Sequence, residues 1–155
     1  MTVSLEWYEL SRAALVGVSR NVEAMRMGCQ NRMPINDEWS IHVLGACGEC
    51  AFAKATGRYW SGGVNTFKAA ADVGREIEVR TRSKHTYDLI VRRDDSDSSA
   101  FVLVTGGPKD FVVHGWMRGE DAKRPEFLAD HGNHGAAFFV PKSALRPMHE
   151  LEGRL

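Results

Sequence analysis

The sequence has no surplus of either charge. Twenty basic residues stand against twenty acidic ones, so the global basic footprint of a general nucleic-acid binder is missing. No apolar run approaches the roughly 20 residues of a membrane span, and the first residues lack a signal-peptide core. The cysteines number three, an odd count that argues against a disulfide framework. There are no repeats, no low-complexity segment and no linker. These absences together lead to the expectation of a reduced, cytoplasmic protein. At 155 residues the chain fits a single domain, residues 1–155, able to bury roughly two thirds of its unfolded surface. Charged residues at 26% and hydrophobic residues at 43% are ordinary for a globular chain.

The pattern along the chain is helix, helix, then strands. Val3, Leu5 and Trp7 alternate and predict a short strand over residues 2–7. From Glu9 the period lengthens. Leu10, Ala13, Ala14, Val18, Val22 and Met25 recur at spacings of three and four, with Arg12, Arg20 and Glu23 off that stripe. This predicts a helix that buries the stripe and stops at Gly28. A second helix is expected over residues 37–56, capped by Asp37 and stopped by Gly57. Its middle, residues 41–53, is apolar or small on nearly every side, as in buried helices, and Gly45, Ala46 and Gly48 allow close approach to a sheet. Glu49 is the one acid there. A buried carboxylate is costly unless paired, so Glu49 either meets an arginine or points into a polar site.

Strands are expected at 87–92, 100–105, 110–114 and 136–140, a short helix at 120–128, and a loop or terminal helix at 142–151. The polar turn at 93–99 lacks the central glycine and closing glutamate of a calcium loop. The order predicts an α/β (α+β) domain with a central mixed sheet flanked by helices.

The stretch at residues 70–84, AADVGREIEVRTRSK, carries the densest chemistry. At period two, Ile77, Val79 and Thr81 share one face, and Glu76, Glu78, Arg80 and Arg82 share the other. A turn at Gly74 would return the strand past Asp72. A three-residue loop of Val73, Gly74 and Arg75 sets Asp72 across from Glu76, with Glu78 a diagonal neighbour roughly 7 Å away. A two-residue turn at Gly74 and Arg75 instead sets Asp72 across from Ile77. In the first geometry, two carboxylates can hold a hard cation about 2.0–2.6 Å from each oxygen. Residues 75–93 are locally basic, with Arg75, Arg80, Arg82, Lys84, Arg92 and Arg93 against Glu76, Glu78 and Asp88, a band able to meet phosphates.

Glu49 on a buried helix, Asp72 before a turn and Glu78-Val79-Arg80 on the returning strand resemble, in order and spacing, the PD-(D/E)XK nuclease superfamily with its restriction-endonuclease-like fold. The stretches Gly45-Ala-Cys-Gly-Glu-Cys-Ala-Phe-Ala-Lys54, Ala71-Asp-Val-Gly and Ile77-Glu-Val-Arg80 carry the resemblance, which spans about residues 41–117. It implies metal-dependent hydrolysis of nucleic acid, DNA ahead of RNA. Mg²⁺ or Mn²⁺ would sit on Asp72, Glu78 and Glu49, and Arg80 on the scissile phosphate. Arg75, Arg82 and Lys84 would hold neighbouring phosphates, and the small size of the chain admits a homodimer. One position departs from the pattern. Arg80 stands where the family has lysine, and arginine stays protonated, so it can stabilise phosphate charge but cannot act as a base. Lys54 or Lys84 could supply the amine. The departure also admits a chain that keeps the fold and has lost the chemistry, serving as a nucleic-acid- or protein-binding regulator.

Two other patterns compete. Cys47-x-x-Cys50 and His131-x-x-His134 are zinc-type ligands, although both cysteines fall inside a helical pattern. The aromatics of Tyr59-Trp60 and of the segment from Asp110 to Arg118 could stack on single-stranded bases.

Overall fold

The computed structural model describes residues 1–28, 38–64, 73, 76–131 and 135–152, with only the backbone of Glu38 and Glu152. It is an α+β protein. Strand β1 (Thr2–Ser4) leads into helix α1 (Trp7–Arg26), followed by α2 (Glu38–Thr56), β2 (Ile77–Arg82), β3 (Leu89–Val91), β4 (Ala100–Gly106) and β5 (Asp110–Arg118). The short helix α3 (Gly119–Ala122), strands β6 (Leu128–Ala129) and β7 (Ala137–Val140), and a last turn of helix, α4 (His149–Glu152), complete the elements used below. One sheet runs β1-β5-β4-β2 and the other β3-β7-β6. The larger sheet is mixed because β2 and β4 are parallel while β5 is antiparallel to both β4 and β1. Among the described residues no helix is long and apolar enough to cross a membrane.

Strand β4 is buried along its whole length, and its alternation builds two cores. Val102 and Val104 join Ile77 and Val79 of β2 under α2, with Ala46, Cys47, Ala51 and Phe52 of that helix. Phe101 and Leu103 face the other way, against Leu89, Val91, Phe138 and Val140 of the small sheet. The larger sheet is therefore covered by helices on one face and by the small sheet on the other.

Helix α2 is close to its expected limits. Gly57 takes a positive φ of 64°, the left-handed conformation that ends helices at little steric cost. Of the expected small contacts, Gly48 lies against the sheet, where an added Cβ would fall on the Thr81 side chain, while Gly45 faces open space. The strand expected at 2–7 is shorter, because α1 already begins at Trp7, where the Glu6 N–H donates to Glu9 Oε2 at 2.7 Å.

Helix α1 buries a different face from the one its large apolar residues suggest. Ala13, Gly17, Asn21 and Ala24 are buried, and Val18, Val22 and Met25 are exposed. The reason is close helix packing. A Cβ on Gly17 would sit 2.5 Å from Val43 Cα and 2.7 Å from the His42 carbonyl oxygen, so α1 meets α2 through its small residues. We expect Gly17→Ala to destabilise the protein. The roughly 1 kcal/mol that alanine gains over glycine in a helix is outweighed by the ~1–3 kcal/mol cost of overpacking against backbone. A lowered urea midpoint at unchanged slope would show this, and a raised midpoint would refute the close approach.

Candidate phosphate-binding site on the basic face of the sheet

The parity of β2 decides where each expected site residue points. Ile77 and Val79 lie in the core beneath α2, so Glu78, Arg80 and Arg82 belong to the opposite face. There Arg80 stacks on Phe101 at 5.0 Å. It also pairs with Asp95 at 3.0 Å and with Glu78 at 3.6 Å. Asp95 in turn accepts the Arg92 backbone N–H at 2.8 Å, so the polar turn after β3 serves as the counter-ion of Arg80.

Glu49 lies on the helix side. The residue is 4% exposed, and its carboxylate takes a two-pronged pair from Arg20 of α1, at 2.5 and 2.9 Å, and the indole N–H of Trp60 at 3.0 Å. Of the two readings of Glu49, the paired one describes the structure. The sheet thus separates Glu49 from Glu78. Lys54, a candidate amine, donates to Glu9 Oε2 at 2.6 Å and to the Ser4 carbonyl at 3.0 Å. Asp72 and Arg75 lie outside the described residues. Val73 forms an antiparallel bridge with Ile77, so positions 74–76 lie between them, a register that matches neither expected turn. Among the described residues, no three His, Cys, Asp or Glu side chains gather to hold a metal ion.

Cys47 is buried within α2 as a free thiol, and burial pushes its pKa up to about 11, the behaviour of an inert core cysteine. His134 lies outside the described residues. Trp60, Phe111 and Trp116 are core residues, while Tyr59 is 79% exposed.

What the structure does assemble sits at the carboxyl end of the parallel pair. Arg82 is in register with Thr105, on the face away from α2. Its guanidinium lies 4.6 Å from the Tyr87 ring, and Lys84 approaches the same ring at 5.6 Å. The Arg82 Nη1 is buried without a hydrogen-bond partner. Burial pulls the Arg82 pKa down, opposed by Tyr87 and Asp88 nearby. Beside it, the fully buried Thr105 hydroxyl meets His85 Nδ1 and His114 Nε2, each at 2.7 Å. Lys142 donates to the His85 carbonyl.

A strand irregularity places His114 there. Leu103 pairs with Gly115 but Val104 with Val113, which leaves His114 as the extra residue of a β-bulge, a device that re-aims a side chain. Burial lowers the His114 pKa, with Lys142, His85 and the N-terminus adding to it.

Arg82 and Lys84 were among the cations that the sequence offered to a phosphate. Tyr87, His85, Thr105, His114 and Lys142 were not. Their only signal was a threonine and a histidine placed inside otherwise apolar strands. Compared with known proteins, the chain matches no family model, no curated protein and no solved structure.

Two outcomes follow. Glu49→Ala removes the buried carboxylate that Arg20 and Trp60 share and should cost about 3–5 kcal/mol of stability in chemical denaturation; a loss under about 1 kcal/mol would show that the pair is not structural. His114, with a folded pKa below its unfolded value, contributes stability that is present above pH ~6.5 and declines as pH falls toward the folded pKa. An NMR titration should put its midpoint below that of a free histidine, and a raised midpoint would contradict the environment described.

Proposed function

We propose that this protein binds DNA through its phosphates, using the face built by Arg82, Lys84, Tyr87 and Lys142. The observation that carries the reading is the half-buried Arg82 guanidinium, whose Nη1 is buried and lacks any hydrogen-bond partner. A buried cation without a hydrogen-bonded acceptor is costly. A phosphate oxygen supplies the missing acceptor in the geometry that guanidinium groups favour. Tyr87 has cations against its ring, so it positions charge rather than offering a free face for a base. Contacts of this kind fix a phosphate and read no sequence.

The order of α2, the chain reversal at Val73–Ile77 and β2 supports a restriction-endonuclease-like scaffold. Hydrolysis on it has less support. Of the three expected metal ligands, Glu49 is consumed by Arg20 and Trp60, Glu78 is on the far face beside Arg80, and Asp72 lies outside the described residues. The described donors do not gather as a Mg²⁺ or Mn²⁺ site. The reading is the second of the two raised by Arg80, a binding protein that has kept the scaffold.

The test is fluorescence anisotropy with a 20-base-pair duplex and the matching single strand at several salt concentrations. With two or three phosphates contacted, log affinity should fall with log salt at a slope of about −2 to −3. Arg82→Ala should weaken binding roughly tenfold and reduce the slope by about 1, and Lys84→Ala should act in the same direction. Affinity should rise as pH falls through the range in which His114 protonates, because an anion beside it favours the protonated form. Unchanged affinity and slope in both variants would refute the site. Mn²⁺ calorimetry closes the alternative: we expect no heat that depends on Glu78, and heat abolished by Glu78→Ala would restore the hydrolytic reading.

A further inference from the structure

The outer face of α1 is apolar in a pattern that its fold leaves uncovered. Tyr8, Leu15, Val18, Val22 and Met25 are exposed, from 38% for Val18 to 72% for Tyr8. With Ser11, they fall at positions 8, 11, 15, 18, 22 and 25, alternating steps of three and four over most of a 20-residue helix. That is the a/d spacing of a two-helix seam, and it lies opposite the Ala13, Gly17, Asn21 and Ala24 face that packs on α2.

We propose that the occupant is a second copy of this chain, with α1 packed antiparallel on its two-fold mate. Three observations select it. First, the stripe complements itself. An antiparallel two-fold brings Tyr8 against Met25 of the partner subunit, Leu15 against Val18 of the partner subunit, and Ser11 against Val22 of the partner subunit. Each contact sets an a position on a d position, as antiparallel seams require, and each occurs twice, as in an isologous interface. Second, the same alignment places the charges. Arg12 comes level with the partner's Glu23, within about one helical turn, where it would join the pair that Glu23 makes with Arg26 of its own helix at 2.7 Å. A parallel pair would set each arginine level with its own symmetry mate. Third, the face can dry without stranding polar groups, because the Ser11 and Ser19 hydroxyls already donate to the Trp7 and Leu15 carbonyls at 2.9 Å.

The area suffices. The five apolar side chains expose on the order of 500 Å², and the Trp7 ring with the stems of Arg12 and Arg26 extends this toward the ~800 Å² per partner of a standard interface. A contiguous apolar patch of that size is uncommon on a monomer that associates with nothing.

Sedimentation velocity on the full chain tests the proposal. At tens of micromolar the wild type should sediment at twice its 17.2 kDa. Leu15→Glu with Val22→Glu should give a monomer whose circular dichroism and melting curve remain those of a folded protein. Leu128→Glu, at an exposed leucine elsewhere, should stay dimeric. Orientation is read by charge exchange: Arg12→Glu should weaken dimerisation about fivefold, and adding Glu23→Arg should restore it. A monomeric wild type, or a folded Leu15→Glu/Val22→Glu variant that still dimerises, overturns the proposal. If that double variant fails to fold, the charge pair decides alone, and loss without rescue overturns the antiparallel arrangement.

Discussion

Everything in this fold depends on β4 being buried on both sides. A strand with cores above and below it turns the larger sheet into a partition, and strand parity then assigns each β2 side chain to one compartment. Odd positions (Ile77, Val79) go under α2, while Glu78, Arg80 and Arg82 go to the side shared with the small sheet. A carboxylate on α2 and one on β2 can be near in sequence pattern and still be divided by the sheet. A one-residue slip of β2 would reverse the assignment, but it would also bury Glu78 and Arg80 among Phe52 and Ala51, at a cost no alternative pairing in that core offsets.

The two compartments handle their buried charge differently. Glu49 is fully compensated: a two-pronged arginine and an indole N–H satisfy its oxygens within the helical layer. Such a pair removes the desolvation penalty of its members only while both remain; it holds α1 on α2 and leaves little capacity for an outside ligand. On the other face Arg80 is likewise answered, by Asp95. Arg82, two residues on, is not. Among the described residues, the charged group expected to act that has an unmet hydrogen bond sits next to a threonine that bridges two histidines. That asymmetry, rather than the count of acids, points to where the protein meets something else.

Much of the fold was legible in the sequence, and its failures have specific causes. The limits of α2 followed from a run of small and apolar residues closed by Gly57. Strands β4 and β7 followed from short apolar runs between turn residues. The buried face of α1 did not, because periodicity ranks large side chains first, whereas two helices in close contact need small ones; Gly17 against Val43 decided the matter. The turn before β2 was illegible because a single glycine fits loops of several lengths, and the observed bridge joins Val73 to Ile77. The site was half legible. Arg82 and Lys84 stood in an evident basic band, but His114 arrives by a bulge, and nothing in a strand's alternation announces where an extra residue will be inserted. Thr105 looked like the last residue of an apolar strand until its register with Arg82 gave it a role.

The two proposed surfaces constrain each other. Helix α1 packs on α2, and α2 packs on the face of the sheet away from Arg82, so a seam along α1 places the helical layers of two copies at the centre and the basic faces outward. Each copy would then present its own small set of phosphate contacts, and the two sets could not line a single channel. This suits a chain with no net charge. One face with two or three cations binds a phosphate backbone weakly at physiological salt, but two faces on one rigid body convert the second contact into an intramolecular one wherever a DNA, or two segments of it, can reach both. Such a dimer would bridge DNA segments rather than enclose one. The separation of Glu49 from Glu78 and the placement of Arg82 on the face away from α2 are consequences of the same partition.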